Sequence, residues 1–176
     1  MSQATLNQPA HRIWIAGQGG QGVSFLGQLL CRAALMSQRH ASARSEQQWA
    51  IRGGLVSTVV LVDEQAFSPA EIQDYNWLLL LHPASRGLLP PQAPDARILD
   101  AYALEAYRLA EAAGYAQGLN MVMLGLLLAL SEVCPVDAVV WQLRHLLGRD
   151  QMNTLPYNLE LLEQGLKLEA TDGGHP

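Results

Sequence analysis

Gly17-Gln18-Gly19-Gly20-Gln21-Gly22, reached through Arg12-Ile13-Trp14-Ile15-Ala16 and left through Val23-Ser24-Phe25-Leu26, decides how this chain of 176 residues folds. The five residues before the run are apolar except the first, the mark of a short buried strand bounded by glycine. After it, Val23, Leu26, Leu30, Ala33 and Ala34 return at helical spacing, which predicts a helix starting at or near Gly22. A glycine-rich strand-to-helix turn lets a ligand approach the main chain. It also aims helix-start N–H groups, with the positive end of the helix dipole, at any anion placed there.

Working outward, residues 39–43 read as a short second strand and 45–51 as a loop. Residues 55–62 (LVSTVVLV) are β-branched and apolar on both faces, as in a central strand of a covered sheet. Asp63-Glu64-Gln65 is a polar turn, after which Ala66-Phe67 is expected to fold back antiparallel. Ser68-Pro69-Ala70-Glu71 places a capping serine, a proline and a glutamate as at the start of a short helix. Residues 76–81 and 96–99 read as further strands, and 104–113 as a helix ended by Gly114. From Asn120 the pattern is helical throughout: 121–132, 136–147 and 158–168. This order predicts an α/β fold, a three-layer Rossmann-like α/β/α arrangement with a mostly parallel, mixed sheet and a helical C-terminal third. One domain is expected over residues 11–170, with 1–10 and 171–176 as flexible termini.

Composition narrows the function. The chain is 49% apolar and only 15% charged, below the roughly one quarter usual for a soluble domain. Surplus apolar surface of this kind suits a permanent subunit interface. A formal net charge of -5, with no block of Lys or Arg, argues against nucleic acid as a partner. The longest apolar run, 119–130, is too short for a bilayer and is broken by Asn120 and Gly125. The first ten residues lack the apolar stretch of a signal peptide, so a cytoplasmic protein without a membrane partner is expected. Cys31 and Cys134 have no companion at metal-ligand spacing and read as buried thiols in helical, apolar surroundings. The chain cannot hold an iron–sulfur cluster of its own. His11, His40, His82, His145 and His175 are scattered, and no metal site is expected.

Gly17, Gly19 and Gly22 also satisfy the dinucleotide fingerprint, with Gly20 as an extra glycine. The acidic partner that fingerprint carries about 20 residues on is poorly matched, for Glu46 falls late and Arg44 better suits a 2′-phosphate. On the residues alone, a stand-alone NAD(P)-binding Rossmann-like reductase or sensor stays open, and so does a purely structural turn packing helix on strand. Arg52-Gly53-Gly54 precedes the strand at 55–62. Its glycines admit a close backbone or ligand and its guanidinium suits a carboxylate or phosphate, although a solvated surface turn has the same pattern. Asn120 is a ligand donor or, by its position, a helix N-cap. His82, after a strand and before Pro83, reads as a turn residue. There is no nucleophile elbow, Walker loop or acid–base pair, so no catalytic residue is assigned.

Gly19-Gly20-Gln21-Gly22-Val23, Arg52-Gly53-Gly54, the β-rich 56–62, Ser68-Pro69 and Asn120 leading into Met123-Leu124-Gly125 follow one another in order. Over about residues 11–168 the chain thereby resembles the gamma subunit, or gamma domain, of the 2-oxoacid:ferredoxin (acceptor) oxidoreductases. The segment from Ser45 to Gly54 looks closest to the small (beta) subunit of indolepyruvate ferredoxin oxidoreductase. Where many gamma subunits carry a tyrosine-containing stretch before Arg-Gly-Gly, this chain has Gln47-Gln48-Trp49. The resemblance implies a small non-catalytic subunit of an enzyme that decarboxylates a 2-oxoacid, of pyruvate or indolepyruvate type. Electrons would pass through the complex to ferredoxin or another acceptor. Thiamine diphosphate, iron–sulfur clusters and CoA would belong to partner subunits, above all a large thiamine-diphosphate-binding one, with none bound by this chain alone. Gly19, Gly20, Gln21, Gly22, Arg52, Gly53 and Gly54 become candidates for shaping that interface or meeting an anionic substrate or CoA. Gly17 and Asn120 join them from the reading of the residues.

Overall fold

The computed structural model describes residues 9–47, 54–69 and 72–168. β1 (His11–Gln18) carries Ile13 and Ile15 on one face and Trp14 and Ala16 on the other, all buried. A strand apolar on both faces belongs inside a sheet covered on both sides. β3 (Leu55–Asp63) lies antiparallel to it, from His11 opposite Val62 to Gln18 opposite Leu55, and β4 (Tyr75–Leu80) lies parallel on the other side. β2 (His40–Gln47) pairs antiparallel with β3, and β5 (Gln92–Asp100) parallel with β4, giving the order β2-β3-β1-β4-β5.

The sheet is mixed, as expected, but for a different reason. Ala66 and Phe67 form no strand. Instead β3 itself runs against both of its neighbours, while the other four strands share one direction. β2 also exceeds the expected strand: residues 45–47, read as loop, each pair with β3, and Ser45 Oγ meets Thr58 Oγ1 at 2.8 Å. The rest of that loop, and Ala70 and Glu71 of the expected short helix, lie outside the described residues.

Five α-helices are described: α1 (Val23–Met36), α2 (Ala106–Ala112), α3 (Leu119–Leu130), α4 (Val136–Leu146) and α5 (Leu155–Lys167). Their apolar faces share one core with Ile13, Ile15, Val60, Val62, Leu79 and Leu81. The opposite face of the sheet, with Trp14, Ala16, Leu78 and Leu80, is covered by Leu88 and Leu89 at the end of a 3-10 turn (Pro83–Leu88). The layers are therefore unequal. Among the described residues the α-helices gather on one side, and a single turn with its flanks closes the other.

α3 is buried along Leu119 to Leu128 and, Asn120 apart, is apolar on every side, as an inner helix must be. α5 presses against it at two glycines. A methyl on Gly125 would overlap the backbone of Leu162 and Leu166, and one on Gly165 that of Val122. At the other end of the molecule, the Arg12 guanidinium meets Asp74 at 2.8 Å and the Pro9 carbonyl at 2.9 Å, which fixes the start of β1.

Both cysteines are free. Cys31 is half-buried on α1, whereas Cys134 is buried just ahead of α4 and not within a helix as expected. Burial pushes the Cys134 thiol up to about 12 and also raises that of Cys31, against the pull of nearby arginines. Since the thiolate is the reactive form, Cys134 should resist a thiol reagent at pH 8 in the native chain and react once the chain is unfolded. Equal rates in the two states would contradict this. No helix among the described residues is long and apolar enough to cross a membrane.

Candidate functional site at the glycine turn

At the carboxyl end of β1 the chain bends through the glycine run into α1. Gly20 (φ 91°) and Gly22 (φ 73°) adopt left-handed conformations that side chains disfavour. Gly22 is the N-cap of α1, and no side chain caps this end. The first intrahelical bond runs from the Leu26 N–H to the Gly22 carbonyl at 2.8 Å. The amides of Val23, Ser24 and Phe25 accordingly have no acceptor among the described residues, and the positive end of the helix dipole stands beside them. They border an open cleft of about 350 Å³ lined by Gly19, Gly20, Gly22, Ser24 and Val56.

The candidate residues divide between those that build the turn and those that face outward. Gln21 is a builder. Its Oε1 accepts from the Gln18 N–H at 2.7 Å, and its Nε2 donates to the Leu81 carbonyl at 2.9 Å, so it ties the turn to the end of β4. Gly17, buried beneath it, leaves the space that Gln21, Leu81 and Val23 fill. Gly19 donates its N–H to the Gly54 carbonyl at 2.9 Å, extending the β1–β3 ladder by one rung. The two glycine motifs of the sequence thus meet at one rim of the sheet, with Gly54 exposed. Arg52 and Gly53 lie outside the described residues.

Asn120 is not the helix N-cap expected from its position. α3 starts one residue earlier, at Leu119, with Gly118 as its N-cap. Asn120 instead sits inside the first turn, 7% exposed, with its Nδ2 against Gly22. Its carboxamide has no hydrogen-bond partner among the described residues. With Gly20 and Gly22 it lines a second cleft, of about 320 Å³. The far wall of this cleft carries Tyr115, Gln117, Gln151, Thr154 and Asn158, which sequence reasoning missed. The one signal was Asn158 itself, a polar residue on the stripe with Leu161, Leu162 and Gly165 that α5 buries.

His82 behaves as a turn residue, its Nδ1 accepting from the Ala84 N–H at 3.2 Å to cap the 3-10 turn. Asp100 closes β5 nearby. Burial pushes its carboxyl up, but the Arg86 hydrogen bond and the N–H groups of Ala103 and Tyr102 outweigh that and hold it below its ordinary value. No group of His, Cys, Asp and Glu among the described residues forms a metal site. Two cysteines on separate elements do not fit an iron–sulfur cluster, which needs four protein ligands in most types.

Strand order bears on the dinucleotide reading. In that mode the ribose-holding acid ends a strand lying directly beside the first one. Here β3 intervenes, so β2 lies two strand spacings from β1, about 10 Å. Arg44 pairs with Val59 and not with any part of the glycine turn. The fingerprint spacing is present without the neighbour that gives it meaning.

The sequence matches the family described as Pyruvate ferredoxin/flavodoxin oxidoreductase over residues 12–89 and 86–168. The chain belongs to that family. Its fold is shared by solved structures at 18% identity. One is a 2-oxoglutarate:ferredoxin oxidoreductase from Magnetococcus marinus with 2-oxoglutarate, coenzyme A and succinyl-CoA bound (TM-score 0.75, over 92% of this chain and 31% of that one). Another is the gamma subunit of a keto/oxoacid ferredoxin oxidoreductase from Geobacter sulfurreducens PCA (TM-score 0.64, 89% and 96%). A third is the pyruvate oxidoreductase subunit PORC from Thermotoga maritima (TM-score 0.70, 92% and 97%). This chain thus spans under a third of the Magnetococcus chain but nearly the full length of the other two. No curated protein matches it.

Proposed function

We propose that this chain is the gamma-type small subunit of a thiamine-diphosphate-dependent 2-oxoacid:acceptor oxidoreductase, non-catalytic by itself and packed beside the active site of a large subunit. It acts as one domain over residues 11–170, in the cytoplasm. The complex oxidatively decarboxylates a 2-oxoacid of pyruvate or indolepyruvate type and delivers electrons to ferredoxin or another acceptor. Thiamine diphosphate, iron–sulfur clusters and CoA are held by the partner subunits. The observation that carries this reading is the joining of the glycine turn to Gly54 at an open sheet rim, in a chain of this family. Main chain without side chains, exposed at the end of a sheet, serves contact with something outside the polypeptide.

Gentle purification from the native host should recover the chain with a larger thiamine-dependent protein. Recovery of the chain by itself would overturn the assignment. Within the complex, Arg52→Ala is expected to lower turnover by about tenfold or more, the usual scale for losing an arginine that meets an anion. The isolated variant should keep its unfolding temperature. Unchanged kinetics with every 2-oxoacid accepted would remove Arg52 from the site. The alternative of a stand-alone NAD(P)-binding reductase or sensor has the glycine spacing in its favour and the strand order against it. Micromolar binding of NADH or NADPH by the isolated chain would restore it.

A further inference from the structure

We infer that a cleft on the face of the sheet turned away from the α-helices, between β2 and β3 and the segment that follows β3, binds a small aliphatic monocarboxylate, with Arg44 as its anion-binding group. The inference goes beyond the subunit reading and does not depend on it. Two features of the sequence that the glycine turn leaves unexplained come together here. One is Arg44, which the strand order separates from that turn, and the other is the Ser68-Pro69 pair. Both line one open cleft of about 480 Å³. The sheet sets its place. Ala41, Val60 and Val62 turn toward the helical core, so the alternate residues Ser42, Arg44, Val59 and Leu61 turn the other way. Ser42 stands opposite Leu61, and Arg44 opposite Val59. Val59 lies four residues along β3 from Leu55, the partner of Gln18, which puts it about 13 Å from the glycine rim.

The lining divides by chemistry. Val59, half-buried, and Leu61, buried, make an apolar floor, which Pro69 and Ile72 continue on the segment after β3. Hydroxyls come from both sides, Ser42 from the sheet and Ser68 and Tyr75 from across the cleft. An apolar surface with a few converging polar groups is the usual make-up of a small-molecule site. Arg44, exposed on β2, is the one charged residue among the described lining. Its guanidinium carries five donors in a fixed fork, so an edge matching a carboxylate is left even where another edge is engaged. One cation balances one negative charge, which favours a carboxylate over the nearly two charges of a phosphate ester. The floor and wall are aliphatic, and they suit a branched or ring-shaped hydrocarbon body of the same kind.

The full chain, labelled for amide NMR, can be titrated with cyclohexanecarboxylate, acetate, cyclohexylamine and cyclohexyl phosphate. Cyclohexanecarboxylate is expected to shift the amides of Ser42, Arg44, Val59 and Leu61, to leave those of Gly20 and Gly22 in place, and to saturate by about 10 mM. It should bind about tenfold tighter than acetate through the apolar floor, and cyclohexylamine should not bind. Arg44→Gln should weaken it by about tenfold. Ser68→Asp, at an exposed position, adds a carboxylate to the far wall; it should abolish binding while the unfolding temperature stays within about 2 °C of the parent. Ile72→Ala should bring the affinity down toward that of acetate. No saturable shift by about 10 mM, equal affinity for the amine, or an affinity that Arg44→Gln leaves unchanged would overturn the inference. Tighter binding of cyclohexyl phosphate than of the carboxylate would overturn the ligand class.

Discussion

Gly165→Ala is expected to destabilise the chain by about 3 kcal/mol or more, which for a domain of this size lowers the unfolding temperature by roughly 6–12 °C. The new methyl would overlap the main chain of Val122, and backbone cannot swing aside as a side-chain tip does. Relief would require α5 to slide along α3, loosening the apolar residues both helices bury. Gly125→Ala, on the facing helix, should act in the same direction through Leu162 and Leu166. Gly148→Ala is the control: its surroundings are open, with nothing within 4 Å of an added methyl. That variant should be neutral or slightly stabilising. A Gly165 variant melting within about 2 °C of the parent would mean the two helices are not in backbone contact.

Gly22→Ala should cost about 2–4 kcal/mol, and the loss should depend on Asn120. Part is backbone strain, since a left-handed φ of 73° costs a side-chain-bearing residue about 1–2 kcal/mol. The remainder is overlap of the new methyl with the Asn120 carboxamide. In an Asn120→Ala background the overlap disappears and the strain stays, so the double-mutant cycle should show a coupling of about 1 kcal/mol or more. Additive losses would place Asn120 away from the turn. The same variant should impair the complex, because the displaced carboxamide lies in the cleft that Gly20 and Gly22 line.

Much of the fold was legible because it is written in local periods. The apolar run from Ile13 to Ala16, the β-branched stretch opening at Leu55 and the helical spacing after Val23 each identify their own element, whatever they pack against. The apolar run of α3, interrupted only by Asn120 and Gly125, likewise identified a helix. Strand direction has no such local mark. β3 has the pattern of a covered strand, and the same residues would serve in either direction, so its reversal between β2 and β1 emerged only from the pairing.

The candidate site divides along the same line. The sequence by itself determined that a side-chain-free turn stands between a buried strand and a helix, since glycine adopts the left-handed conformations at Gly20 and Gly22 without the steric cost other residues meet. Tertiary structure alone decided what surrounds that turn. It brought the Gly54 carbonyl to Gly19, turned Gln21 inward to brace β4, and set Asn120 against Gly22 with Asn158 across the cleft. These contacts join residues far apart in the chain, and no spacing rule connects them. They exist because burying α3 against α5 fixes where the start of each helix must lie.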